Sequence, residues 1–253
     1  MAVSVGNHLT RKKQHFPYEI AILCYGSPDL IGQRTLALLH AYHIPPQRIT
    51  IFVQSKSDEQ QLSQRVQRHR YGRLIVGETG HQAMETLVHR HYVPGTLLVV
   101  FDDSCYECID ISTPSGSLKS ILSLIRTGFE VCKTANSGFW GVYPVAEQSF
   151  LRQTISSKLC YTSPAIWGCI VIPIQFTTEQ YTHVERILSY YHIYSTIVRF
   201  NHITVRHTSH RKENIIEAVQ LHHKYPKWTS VHSDSSGVHL RLHDSERNSK
   251  NHL

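Results

Sequence analysis

Short, uninterrupted apolar runs recur through the first half of the chain, with helically spaced stretches between them. The runs fall at 20–24 (IAILC), 49–53 (ITIFV), 73–77 (RLIVG) and 97–101 (LLVVF). Apolar runs of this length without polar alternation are the signature of strands buried on both faces. Between the first two, Ile31, Leu38, Leu39 and Tyr42 share a helical face, with Asp29 placed to cap it and Pro45-Pro46 to end it. The polar stretch 58–69 predicts an exposed helix, and Met84, Leu87 and Val88 mark another before Pro94-Gly95 turns the chain into the fourth run. This alternation predicts an α/β fold: a mainly parallel, Rossmann-like central sheet with helices on both faces. Ligands of such sheets bind beyond the carboxyl ends of the strands. Tyr25, Gly26 and Ser27 after the first strand, and Asp102 and Asp103 after the fourth, fall on that edge.

The second half is less regular and predicts a smaller, mixed α+β part. Leu118, Ile121, Leu122, Ile125 and Phe129 form a helical stripe, and FWGVYP at 139–144 reads as aromatic and turn-prone. A strand is expected at 166–174, a helix at 179–194, a strand from 196 onward, a helix at 212–223 and a half-exposed strand at 237–242. No internal repeat or linker divides the chain. The expectation is a flexible segment at 1–17, one domain over 18–243 and a disordered tail at 244–253.

Charge and cysteine usage refine this picture. The net charge is +7 with 19 histidines counted neutral, which favours a phosphate-bearing or otherwise anionic partner. Its basic residues do not form a long block, so charge alone favours such a partner only modestly over ordinary solubility. No signal-like or membrane-spanning stretch is present, and an intracellular (cytoplasmic or nuclear) protein is expected. The 6 cysteines sit in apolar or strand-like contexts, as reduced core thiols do.

Three constellations could carry chemistry. Adjacent carboxylates at a strand end point in different directions. Asp102 and Asp103 can therefore address one ligand twice, one through a hard divalent cation and the other through a ribose hydroxyl. A solvated strand end is the plain alternative. Cys105 and Cys108 have the Cys-x-x-Cys spacing, but no second ligand pair stands nearby and the intervening residues look extended, so buried thiols are expected. His81, His89 and His91 share a predicted helix without HExxH spacing, and no GxGxxG, Walker or GxSxG motif occurs.

Several short motifs then stand in a telling order: CYGSP at 24–28 with QRTL at 33–36, ITIFV at 49–53, FDD at 101–103, FWGVYPV at 139–145, VRFN at 198–201, and Arg211-Lys212. This order resembles a family of small GT-A-fold glycosyltransferases of large DNA viruses, bacteriophages and scattered eukaryotes. The TET-associated glycosyltransferases of modified DNA bases belong to it. The resemblance implies a GT-A-like fold with a nucleotide-binding half over about 18–112 and an acceptor-side half over about 113–243. It implies a nucleotide diphosphate sugar as donor, Mn²⁺ or Mg²⁺ as cofactor, and a hydroxyl acceptor on a glycan, a protein or a hydroxymethylated DNA base. Tyr25, Gly26 and Ser27 would sit by the donor nucleoside, Asp102 by ribose or metal, and Asp103 on the metal. Trp140 and Tyr143 would wall the sugar and acceptor cleft, Glu179 would be a catalytic carboxylate, and Arg199 and Arg211 would bind phosphate. Ser104 stands where the family's acidic run has a third aspartate. The competing expectation is therefore a catalytically weak or inactive GT-A-like module that binds nucleotide or nucleic acid.

Overall fold

The structure is a computed structural model that describes residues 16–25, 28–143, 155–156, 165–173, 196–207, 229–234 and 237–242, with isolated positions at 187, 189–190, 193–194, 223 and 226. Four of the strands form the parallel unit that the apolar runs predict. They are β1 (Glu19–Cys24), β2 (Ile49–Val53), β3 (Arg73–Val76) and β4 (Leu97–Asp102), in the order β3-β2-β1-β4. Every residue of β2 is buried, as is every residue of β1 after Glu19. Alternate side chains enter different cores. Ile20, Ile22, Ile51, Val99 and Phe101 pack on one face, and Ala21, Leu23, Phe52, Leu98 and Val100 on the other.

The first core is covered by α1 (Pro28–Ile31), α2 (Thr35–Ala41), α3 (Lys56–Arg65) and α5 (Ile121–Thr134), through Ile31, Leu36, Leu39, Leu62, Ile121 and Ile125. The second is covered by α4 (His81–His91) through Met84 and Val88, and by Ile187 and Tyr190. Helices thus lie on both faces. Side-chain caps mark the starts of α3 and α5: the Ser55 hydroxyl accepts the Asp58 N–H at 3.1 Å, and the Ser120 hydroxyl accepts the Ser123 N–H at 3.1 Å. The first expected helix is split into α1 and α2 by a turn at 32–34. Gly32 lies in that turn, where a Cβ would stand 3.2 Å from the Val66 side chain at the end of α3.

Beyond β4 the sheet changes character. β8 (Ile166–Ile170) runs antiparallel to β4, and β6 (Phe139–Tyr143) antiparallel to β8. β9 (Val198–His207) lies parallel to β6, and β5 (Cys105–Asp110) antiparallel to β9 at the far edge. The short β7 (Ile155–Ser156) adds antiparallel to β9. The architecture is α/β, but the sheet is mixed: parallel pairing holds for β3-β2-β1-β4 and β6-β9, and the other pairs are antiparallel. A separate hairpin joins β10 (Thr229–Asp234) to β11 (Gly237–Leu242).

One sequence expectation is corrected, and one strand was not foreseen. The segment read as a turn at 139–144 holds an interior strand, with β8 on one side and β9 on the other. Its glycine is no turn residue, because Gly141 pairs in register with Trp167 and Arg199. The polar residues of β10 had no strand signature, and their pairing depends on the adjacent β11.

Candidate active site

β1 and β4 are neighbours, yet the chain leaves β1 for β2 on one side while β4 lies on the other. This reversal of strand order is where open parallel sheets leave a crevice beyond their carboxyl ends. Leu23 pairs with Asp102, so the two strands finish together. The Tyr25 N–H donates to Asp103 Oδ2 at 3.0 Å, which ties the end of β1 to the turn after β4.

That turn is held from below and from the side. The buried Thr35 hydroxyl at the start of α2 donates to the Asp102 carbonyl at 2.6 Å and accepts the Cys105 N–H at 3.1 Å. The Asp102 N–H donates to the Ala165 carbonyl at 3.1 Å, just before β8. Gln54, directly after β2, donates to the Tyr25 carbonyl at 2.6 Å and accepts the Gly80 N–H at 2.9 Å where α4 begins. Three strand ends and two helix starts are thereby fixed around the two carboxylates, both of which are partly exposed.

Cys24 lies beneath Asp103. Burial pushes its thiol pKa up, and the Asp103 charge and its hydrogen bond to Cys24 add to the effect. The thiol remains protonated and supports the carboxylate as a neutral donor. Cys105 and Cys108 are both buried, with burial raising Cys105 well above its ordinary value and Cys108 to about 12. Neither is a thiolate nucleophile, and Cys24, Cys105, Cys108, Cys132 and Cys169 are all free.

The sequence-predicted residues separate into three groups. Tyr25, Asp102 and Asp103 are brought together at the sheet edge. Gly26, Ser27, Glu179 and Arg211 lie outside the described residues. The remaining three belong to β6 and β9. Trp140 does not wall a cleft: it is wholly buried between the edges of Phe129 and Phe200, each 5.8 Å away by ring centroid. Its ring fills the space that Gly128 and Gly168 leave open, which gives an aromatic side chain a purely packing role. Tyr143 ends β6 opposite Thr204, past a register shift. Arg199 is 3% exposed and pairs with Gly141, placing it on the sheet face opposite Val198 and Phe200.

Ser104 is buried, at 6% exposure, so the third position of the acidic run faces inward. Sequence reasoning missed Thr35 and Gln54 as site builders. Their signal was slight: a hydroxyl inside an otherwise apolar helix, and an amide immediately after a buried strand. Among the described residues no three His, Cys, Asp or Glu side chains gather as a metal cluster. No helix among them is long and apolar enough to cross a membrane. Neither a protein-family model nor a curated protein sequence matches this chain.

Proposed function

We propose that the chain is a glycosyltransferase that moves a sugar from a nucleotide diphosphate sugar to a hydroxyl acceptor with help from a divalent metal. The observation that carries this reading is the Asp102-Asp103 pair at the carboxyl ends of β1 and β4, tethered to the first strand through the Tyr25 N–H. Two carboxylates suit Mg²⁺ or Mn²⁺, because such ions take one or two protein carboxylates and fill their remaining positions with substrate phosphate and water. A carboxylate offers about four acceptor sites, so Asp103 retains capacity beyond the Tyr25 hydrogen bond. When bound, the cation supplies charge neutralisation for the departing diphosphate.

The chain's own groups bind and orient. Asp102 takes the metal or a donor ribose hydroxyl, Asp103 takes the metal, and the turn beginning at Tyr25 receives the nucleoside. Gln54 fixes the Tyr25 carbonyl at the end of β1. The resemblance makes Glu179 a catalytic carboxylate and gives phosphate binding to Arg199 and Arg211. The inward-facing Ser104 bears on the missing third aspartate, because a carboxylate at that position would be buried instead of offered to the crevice. The net charge of +7 mildly favours an anionic acceptor without selecting among modified DNA, protein and glycan.

One observation favours a second reading. Asp103 is engaged by both the Tyr25 N–H and the Cys24 thiol, a structural duty that an inactive nucleotide-binding relative would also keep. Thermal shift against uridine and guanosine diphosphate sugars, each with Mn²⁺ and with EDTA, separates the cases. A donor at about 100 times its Kd stabilises by about 2.7 kcal/mol. Asp103→Asn removes the Mn²⁺-dependent part, and release of the nucleoside diphosphate on adding hydroxymethylated DNA marks turnover. A donor shift without turnover on DNA, protein or glycan acceptors supports the inactive module. No response to any donor overturns both nucleotide-based readings.

A further inference from the structure

A pocket of about 400 Å³ opens at the opposite edge of the sheet, where β1, β2, β3 and β4 begin. Pockets for small molecules span roughly 300–1,000 Å³, so this one can hold a compact ligand. Tyr18, Tyr92 and Leu97 form an apolar wall, and Arg48, Arg73 and His91 bring nitrogen donors to it. One carboxylate, Glu19, also lines the pocket and is already paired with Arg48 at 3.0 Å. Arg48 is further placed by a hydrogen bond to the Tyr18 carbonyl at 3.1 Å and by its position over the Tyr18 ring.

Arg73 has no carboxylate partner among the described residues, and its charge acts on both His91 and Tyr92. Burial and Arg73 lower the His91 pKa, leaving a neutral ring that can donate one N–H without adding charge. Among the described residues that line the pocket, two guanidiniums stand against one carboxylate. The rim is fixed as well. The Gly95 N–H donates to the Val171 carbonyl at 2.7 Å, and the Val171 N–H donates to the Thr96 carbonyl at 2.9 Å. Gly95 has φ +90°, a conformation that costs glycine little and most residues more.

We propose that this pocket binds a small organic oxyanion, a phosphomonoester or carboxylate on a flat apolar body, independently of the acidic edge. The guanidinium of Arg73 takes the anion, and the tyrosine and leucine wall takes the apolar body. Planar guanidiniums match either oxyanion through paired N–H donors. Strand β4 runs from Leu97 in the pocket to Asp102 in the crevice, a separation of about 16 Å at the usual rise per residue. This is a second site and does not rest on the glycosyltransferase reading.

Calorimetric titration of the full chain with phenyl phosphate, phenylacetate and benzyl alcohol tests it. At least one of the two anions binds, their ranking identifies the head group, and the neutral alcohol binds at least about ten-fold more weakly, as loss of a charge-assisted hydrogen bond requires. Arg73 is exposed at the start of β3, so Arg73→Ala leaves the fold intact by circular dichroism while weakening the anion by about ten-fold or more. Asp102→Asn leaves the affinity unchanged. The proposal is overturned if neither anion binds, if benzyl alcohol binds equally well, if Arg73→Ala has no effect, or if UDP with Mn²⁺ displaces the anion.

Discussion

Thr35 serves three backbone groups with one buried hydroxyl, the Asp102 carbonyl and the Cys105 N–H and carbonyl, all flanking the turn that presents the aspartates. Thr35→Val strands the Cys105 N–H and the Asp102 carbonyl in an apolar setting. Its expected cost is about 1–3 kcal/mol, read from urea denaturation. Thr35→Ser keeps the hydroxyl and recovers most of that loss. If the turn shapes the metal site, Mn²⁺ affinity falls in the valine variant and returns in the serine variant. The sequence made Asp102 and Asp103 visible because acidic residues abruptly end an apolar run. Thr35 gave no such signal, since a threonine near a helix start has many ordinary uses. Trp140 was misplaced for the opposite reason: an aromatic residue beside glycine fits a cleft wall as well as it fits a core.

Among the elements, β6 shows how packing overrides local punctuation. Gly141 and Pro144 suggested a turn, yet Phe139, Trp140 and Val142 are fully buried in a strand flanked on both sides. Trp140 requires small neighbours on two elements: a Cβ on Gly168 would stand 2.3 Å from its ring, and one on Gly128 2.6 Å. The ring has no exposed direction in which to retreat. Gly168→Ala is therefore expected to cost about 1–3 kcal/mol by overpacking, measured as a lower urea midpoint with the circular dichroism signature retained. The helices and parallel strands were legible because their periodicities are local. The direction of β8 was not: IWGCI fits a parallel or an antiparallel strand equally, and only its neighbours β4 and β6 decide.

For the whole molecule, the thiols give a pH-dependent signature. Burial raises Cys108 and Cys132 from 9.0 to about 12, and it also raises Cys24 and Cys105. Unfolding lets these groups lose protons at lower pH than folding does. Their contribution to stability is thus intact below about pH 9 and is lost as pH rises from there towards the folded-state values. The urea midpoint should fall progressively above pH 9, and a midpoint unchanged to pH 11 would contradict the burial of these thiols.

The antiparallel β8 also has a consequence during synthesis. Ala165, just before it, accepts hydrogen bonds from the Asp102 N–H and the Cys105 thiol, and Cys105 and Ala165 are separated by 60 residues. Ribosomes add roughly 5–20 residues per second, so the turn waits about 3–12 s for this support. Through that interval the LLVVF face of β4 is an open edge without charge or proline. Such segments pair readily with strands of other chains. The nascent chain is therefore most prone to aggregate after β4 has left the ribosome and before β8 follows it.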